Sequence, residues 1–175
     1  NGSFYEKDNI AGAYVFSDGK TVVAQGGTVN TIQDKWPDEF LGLLGAGMRI
    51  GQFNRLVCYL ENHLIGDPTF HFANNSGIDV DINRALVLEE GNLNYWKKQL
   101  DSPLPDMRAL ALRELCKGGY DQLPELLEKS YFTSDYFVVR LEAMRLLALN
   151  YPEKAIKVLQ AALNDGYELV RRFAC

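Results

Sequence analysis

The chain has 175 residues, of which 47% are hydrophobic, 11% aromatic and 23% charged, so it can bury a core and is not composed like a disordered polymer. Eighteen Lys and Arg against 23 Asp and Glu leave a net charge of −5, which speaks against nucleic acid as a partner, because phosphate neutralisation requires a basic face. A membrane span is excluded by the lack of any apolar run of roughly 18 residues, and three scattered cysteines with two histidines suggest no disulfide framework, no metal site and no cofactor.

Charge and glycine both divide the chain. Residues 1–89 carry six basic and eleven acidic side chains, whereas residues 90–175 carry twelve of each. Such a shift marks a domain boundary, and the polar cluster Ala73-Asn74-Asn75-Ser76-Gly77 is the natural place for it. The expected division is residues 1–75, a linker over 76–91, and residues 92–175.

The first part reads as α/β. Asp8 is positioned to cap a short helix through Ile10, Tyr14 and Val15 that ends at Ser17-Asp18-Gly19. Thr21-Val22-Val23-Ala24 has the β-branched content of a strand, closed by Gly26-Gly27. From Met48, the residues Ile50, Phe53, Leu56, Val57, Leu60 and Leu64 recur every three or four positions, predicting an amphipathic helix of about four or five turns. Gly66-Asp67-Pro68 should stop it, and Thr69-Phe70-His71-Phe72 alternates like a further strand. A helix between two strands predicts a βαβ-like unit with a parallel sheet.

The second part contains a repeat. Met107-Arg108-Ala109-Leu110-Ala111, Val139-Arg140-Leu141-Glu142-Ala143 and Val170-Arg171-Arg172-Phe173-Ala174 share an apolar–Arg–x–x–Ala core. Leu126-Leu127 and Val158-Leu159 fall at matching offsets on expected second helices, and Pro105, Asp135 and Asp165 punctuate the loops. Helix pairs at this period signify an α-solenoid. The pattern resembles HEAT repeats, and Asp135-Tyr136-Phe137-Val138-Val139-Arg140 fits that motif best. The chain starts at Asn1 without Met and its third copy stops at Cys175, so both ends read as cut.

Few residues suggest chemistry. Gly45-Ala46-Gly47-Met48-Arg49-Ile50-Gly51 resembles a phosphate-binding loop, but its last Gly is one position late and no strand directly precedes it. Small residues that let a helix start close to the sheet are the expectation instead. His63 and Cys58 would lie five apart on one helix and face different ways, so neither they nor His71 are expected to act catalytically. Arg108, Arg140 and Arg171 are repeat-interface candidates: either a ladder for acidic ligands, or pairs with a carboxylate or carbonyl of the neighbouring repeat. Trp36, beside Pro37 in a loop, must pack or bind something.

Two stretches carry a further resemblance. Thr21-Val22-Val23-Ala24-Gln25-Gly26-Gly27-Thr28-Val29-Asn30 resembles a strand and loop of the gingipain-type cysteine peptidases, and Asn62-His63-Leu64-Ile65-Gly66-Asp67-Pro68-Thr69-Phe70 resembles a helix end, turn and closing strand of the same fold. Asn1-Gly2-Ser3-Phe4 is similar to the segment that follows that family's catalytic Cys. The resemblance covers about residues 1–72. It implies an incomplete caspase-like α/β fold, an extracellular, periplasmic or cell-surface location, and a nucleophilic Cys and a His upstream of Asn1. No catalytic residue carries over, and Trp36 becomes a substrate-pocket candidate. The β-sandwich that follows the catalytic domain in gingipains is replaced here by helical repeats.

The expected role is a non-catalytic protein–protein interaction scaffold on a peptidase-derived domain, with a protein or peptide partner. Apolar surface near Leu169, Val170 and Phe173, and a strand edge at Thr21–Ala24, would favour self-association. The alternative is the C-terminal part of a secreted gingipain-like endopeptidase.

Overall fold

Asn9 opens the first helix: its Oδ1 accepts the Gly12 N–H at 2.7 Å and caps α1, Ile10–Phe16. The computed structural model describes residues 6–28, 39–57 and 62–175. The chain separates into two units, residues 1–83 and 84–175, and the described residues are mostly helical with one small sheet. Residues 76–91, expected as a linker, contain a helix over Ile82–Leu88 (α4), and the division falls in its first turn.

In the first unit, α1 packs on the two strands β1 (Val23–Gly27) and β2 (Asn62–Gly66). The cap is Asn9 rather than Asp8, because the first helical residue is Ile10. Between the strands lie α2, Leu41–Gly45, and α3, Ile50–Val57. The strands run antiparallel, with Val23 opposite Gly66 and Gln25 opposite Leu64, which corrects the expected parallel βαβ unit. The physical reason is the shortness of α3. Leu64 continues the helical spacing by coincidence, but it belongs to an extended segment that returns beside β1. Asn54 of α3 ties both strands, its Oδ1 accepting from Gln25 Nε2 at 2.8 Å and Asn62 Nδ2 at 3.1 Å.

Thr69–Phe72 forms no strand. Asp67 captures the turn instead: its Oδ1 accepts from the Thr69 N–H at 2.8 Å and the Thr69 hydroxyl at 2.6 Å. Those bonds hold the Asp67 carboxyl below its ordinary range. Gly66 has a φ of +109°, and a Cβ there would lie 2.3 Å from the Val22 carbonyl oxygen. Only glycine fits that strand exit. Phe40, Leu43, Met48 and Phe53 form the buried core of this unit, while Ile10, Tyr14 and Phe16 of α1 stay exposed.

The second unit is helical throughout. After α4 come α5 (Leu93–Gln99), α6 (Pro105–Lys117), α7 (Leu123–Thr133), α8 (Phe137–Asn150), α9 (Pro152–Ala162) and α10 (Glu168–Phe173). Trp96 of α5 is fully buried, and its indole N–H donates to the Glu89 carbonyl at 2.7 Å. Proline is the first residue of α6 and α9 and the second of α7, where its missing N–H costs nothing.

Helix α8 lies against both α6 and α10, and α7 packs on both α8 and α9. The first helices are therefore covered on more than one side. That is why α6 buries Met107, Ala109, Leu110, Ala111, Leu112 and Leu115, around most of its circumference. Leu127 and Val158 are the buried members of the expected second-helix pairs. Leu169 and Val170 are also buried, packed towards α8, which corrects the expected exposed apolar surface at those two residues.

Candidate functional site

The loops before α6, α8 and α10 share one bonding plan. Leu104, Tyr136 and Tyr167 are the N-cap residues, all extended, and none caps its helix through its own side chain. The residue two positions earlier accepts each N-cap N–H: Ser102 Oγ at 3.3 Å, Ser134 Oγ at 3.2 Å and Asp165 Oδ1 at 2.9 Å. Its carbonyl in turn accepts from the arginine six positions on. Arg108 Nε donates to Ser102 O, Arg140 Nη1 to Ser134 O at 3.1 Å, and Arg171 Nη1 to Asp165 O at 2.6 Å. Each loop is thus clasped to the helix it precedes.

Arg140 does more. Its Nε and Nη2 meet Asp165 Oδ2 and Oδ1, both at 2.8 Å, in a forked pair across the stack. The Tyr131 hydroxyl donates to the same Oδ2 at 3.2 Å. Burial pushes the Asp165 carboxyl up, but the bonds from Arg140, the Tyr167 N–H and Tyr131 outweigh it and leave it below its ordinary value. Burial and the adjacent Asp165 push the Tyr131 hydroxyl up to about 12.

Arg108 stands at the equivalent position with a different neighbour. Counting by the loop plan, Ser134 occupies the place that Asp165 takes before Arg140. Arg108 spends Nε on Ser102 O, and its guanidinium lies 5.6 Å from the centre of the Tyr136 ring. Among the described residues, no carboxylate meets its Nη1 or Nη2. A cleft of about 180 Å³ opens there, lined by Arg108, Ser130, Ser134, Asp135 and Tyr136 over an apolar wall that includes Leu112.

A second set of contacts spans 29 residues. Arg113 forks onto Glu142 at 2.6 and 2.7 Å, with the Glu142 side chain nearly buried. Lys154 reaches Glu125 at 3.1 Å, and Lys157 reaches Glu128 at 2.5 Å, on exposed surface. Between α8 and α10, Arg145 sits over the Phe173 ring at 5.3 Å. These contacts join neighbouring helix pairs side to side.

The other candidates are scattered. Trp36 and Cys58 lie outside the described residues. His63 is on β2, exposed, not on a helix, and His71 is exposed with Nδ1 3.1 Å from the Phe72 carbonyl. The Gly45–Gly51 stretch starts α3 near the turn after β2, where Gly51 N–H donates to Pro68 O at 2.9 Å and a Cβ would come within 2.8 Å of that oxygen. Close packing explains its glycine, although the neighbour is this turn and not the sheet. Burial and Glu142 raise the Cys116 thiol, away from the reactive thiolate. Among the described residues, no cluster of His, Cys, Asp and Glu could hold a metal, and no helix is long and apolar enough to cross a membrane.

The sequence pointed to the three arginines but missed Ser102 and Ser134. Stepping back six residues from each arginine would have found them. No family model, curated protein or solved structure matches this chain.

Proposed function

We propose that the second unit is a short stack of HEAT-like helix pairs whose work is to bind a protein or peptide partner. The unit before it is read as a piece of a gingipain-like, caspase-type domain, placing the protein outside the cell, in the periplasm or on the cell surface. The recurring loop clasp is the observation that carries the scaffold reading. The same side-chain and carbonyl bonds recur at residues 102, 134 and 165 with an arginine always six positions on. Such units stack into an extended surface that chemistry does not need and recognition does. Exposed Phe132, Leu149 and Ile156 supply apolar contact area on it.

The test is affinity capture with the full chain, followed by binding measurements between the purified protein and the partner so identified. Phe132→Glu and Ile156→Glu, or Leu149→Glu, should weaken that binding tenfold or more at unchanged helicity, since hot spots of this kind carry about 2 kcal/mol or more. A partner indifferent to every substitution in residues 84–175 would refute the scaffold reading. So would turnover of a peptide library by the purified chain that a thiol alkylator abolishes.

A further inference from the structure

We propose that the cleft at Arg108 is a carboxylate-binding pocket that takes a single carboxylate of a peptide partner, held by Nη1 and Nη2 of the guanidinium, where Arg140 holds Asp165 by Nε and Nη2. The proposal rests on the scaffold reading and adds to it the chemistry of the ligand.

Arg140 and Arg108 stand at equivalent positions, each six residues after the residue that bonds the N-cap N–H. Arg140 through Nη1 and Arg108 through Nε both donate to the carbonyl six residues before them, so the pair of nitrogens left over is Nε with Nη2 in Arg140 and Nη1 with Nη2 in Arg108. Arg140 then finds both oxygens of Asp165 at 2.8 Å. The residue facing Arg108 at that place is Ser134, whose hydroxyl accepts the Tyr136 N–H and brings no charge. Planar fork donors match a carboxylate in bidentate fashion, and Arg108 lines a cleft where, among the described residues, no carboxylate meets its Nη1 or Nη2.

The surroundings fit one carboxylate on an apolar body. Leu100, Leu112, Leu126 and Val139 wall the cleft, and Ser130 and Thr133 also line it. At about 180 Å³ it is smaller than the ~300 Å³ lower bound of drug-sized sites and suits one side chain or one chain terminus. Asp135 is exposed on the lining and works against a doubly charged anion such as phosphate. Tyr136 covers one face of the guanidinium, which keeps the fork oriented while leaving its edge open.

The experiment titrates the full chain with three peptides, followed by calorimetry and by amide shifts of residues 130–139. The first is acetyl-Ala-Ala-Leu as the free acid, the second is the same peptide as its C-terminal amide, and the third is acetyl-Ala-Glu-Leu amide. The free acid should bind at least about tenfold more tightly than its amide, because a charge-assisted fork is lost. Stronger binding of the Glu peptide than of the uncharged amide would assign the pocket to an acidic side chain instead of a terminus. Either pattern supports a carboxylate site.

Ser134→Asp is the internal control. It supplies the carboxylate that Asp165 supplies next door, so it should abolish peptide binding and raise the melting midpoint by about 2–4 °C. Equal affinity for all three peptides, no binding of any peptide to the native chain, or undiminished binding to the Ser134→Asp protein would each overturn the proposal. Those results leave the scaffold reading intact if the captured partner still depends on residues 84–175.

Discussion

The Tyr131 hydroxyl on α7 and the Asp165 carboxylate before α10 meet at 3.2 Å although 34 residues separate them. Asp165 also takes Arg140, so a single carboxylate joins α7, α8 and the loop into α10. The protonated hydroxyl is the form that this site stabilises, with Tyr131 pushed from 10.0 to about 12. A pKa raised in the folded state contributes stability below the unfolded value and loses it as pH rises. The second unit should therefore weaken between pH 10 and about 12. Tyr131→Phe should cost about 1 kcal/mol at neutral pH, the value of one hydrogen bond, and flatten this alkaline limb in denaturant titrations followed by circular dichroism. An unchanged limb in the Phe variant would exclude Tyr131 as its source.

Asp165 has the opposite sign. Its folded pKa lies below its ordinary 3.8, so its contribution is present above that value and disappears as the carboxyl protonates on acidification. Asp165→Asn should cost about 1.5–3 kcal/mol at pH 7, the range for bonds to charged groups. It should also make acid unfolding of the second unit less steep below pH 4, roughly the ordinary carboxyl pKa. Stability curves for the two proteins that stay parallel through that window would contradict the assignment.

Arg113 and Glu142 form a pair with little exposure, 16% and 4% for the two side chains. Arg113→Ala strands a buried carboxylate and should cost about 3–5 kcal/mol. The double replacement Arg113→Met with Glu142→Leu should come out close to neutral, because both desolvation costs vanish together. Urea midpoints of the native, single and double variants measure the difference. The exposed Lys154–Glu125 contact should be thermally silent when Lys154 becomes Ala.

Gly66→Ala places a Cβ 2.3 Å from the Val22 oxygen at a backbone angle that L residues avoid. The strand exit must move, and β1 with β2 should lose about 1–3 kcal/mol of local stability. Hydrogen exchange read residue by residue should accelerate at Ala24 and Ile65, which face each other in the sheet, and stay unchanged on α6 and α8.

Period was the most legible signal. Arg108, Arg140 and Arg171 fall on α6, α8 and α10, as their spacing predicted, because each follows a loop of the same bonding plan, six residues after Ser102, Ser134 and Asp165. Ser134 went unnoticed because Asp135 beside it is acidic and drew the loop motif one position late. Equivalence there is set by a backbone bond, which leaves no mark on residue type. Around Leu64 the reading failed for a related reason. Apolar residues at three- and four-residue spacing continue through a segment that is strand, and only the long-range partner Gln25 decides between the two. Short Asx geometry defeated the Thr69–Phe72 strand, since one carboxylate at Asp67 redirects the backbone locally. The Asn9 cap was missed by a single residue, as both Asp and Asn suit that place.

The clasp holds its six-residue measure in all three loops, although Ser134 and Asp165 stand 31 apart where Ser102 and Ser134 stand 32 apart. Length therefore varies elsewhere: five residues, 118–122, separate α6 from α7, while Tyr151 alone separates α8 from α9. Evolutionary tinkering has two kinds of joint to work with here. The bend inside a helix pair is elastic, open to inserted residues or grafted tags. The bend between pairs is geared by its arginine, and one extra residue between Ser134 and Arg140 would slip every tooth after it.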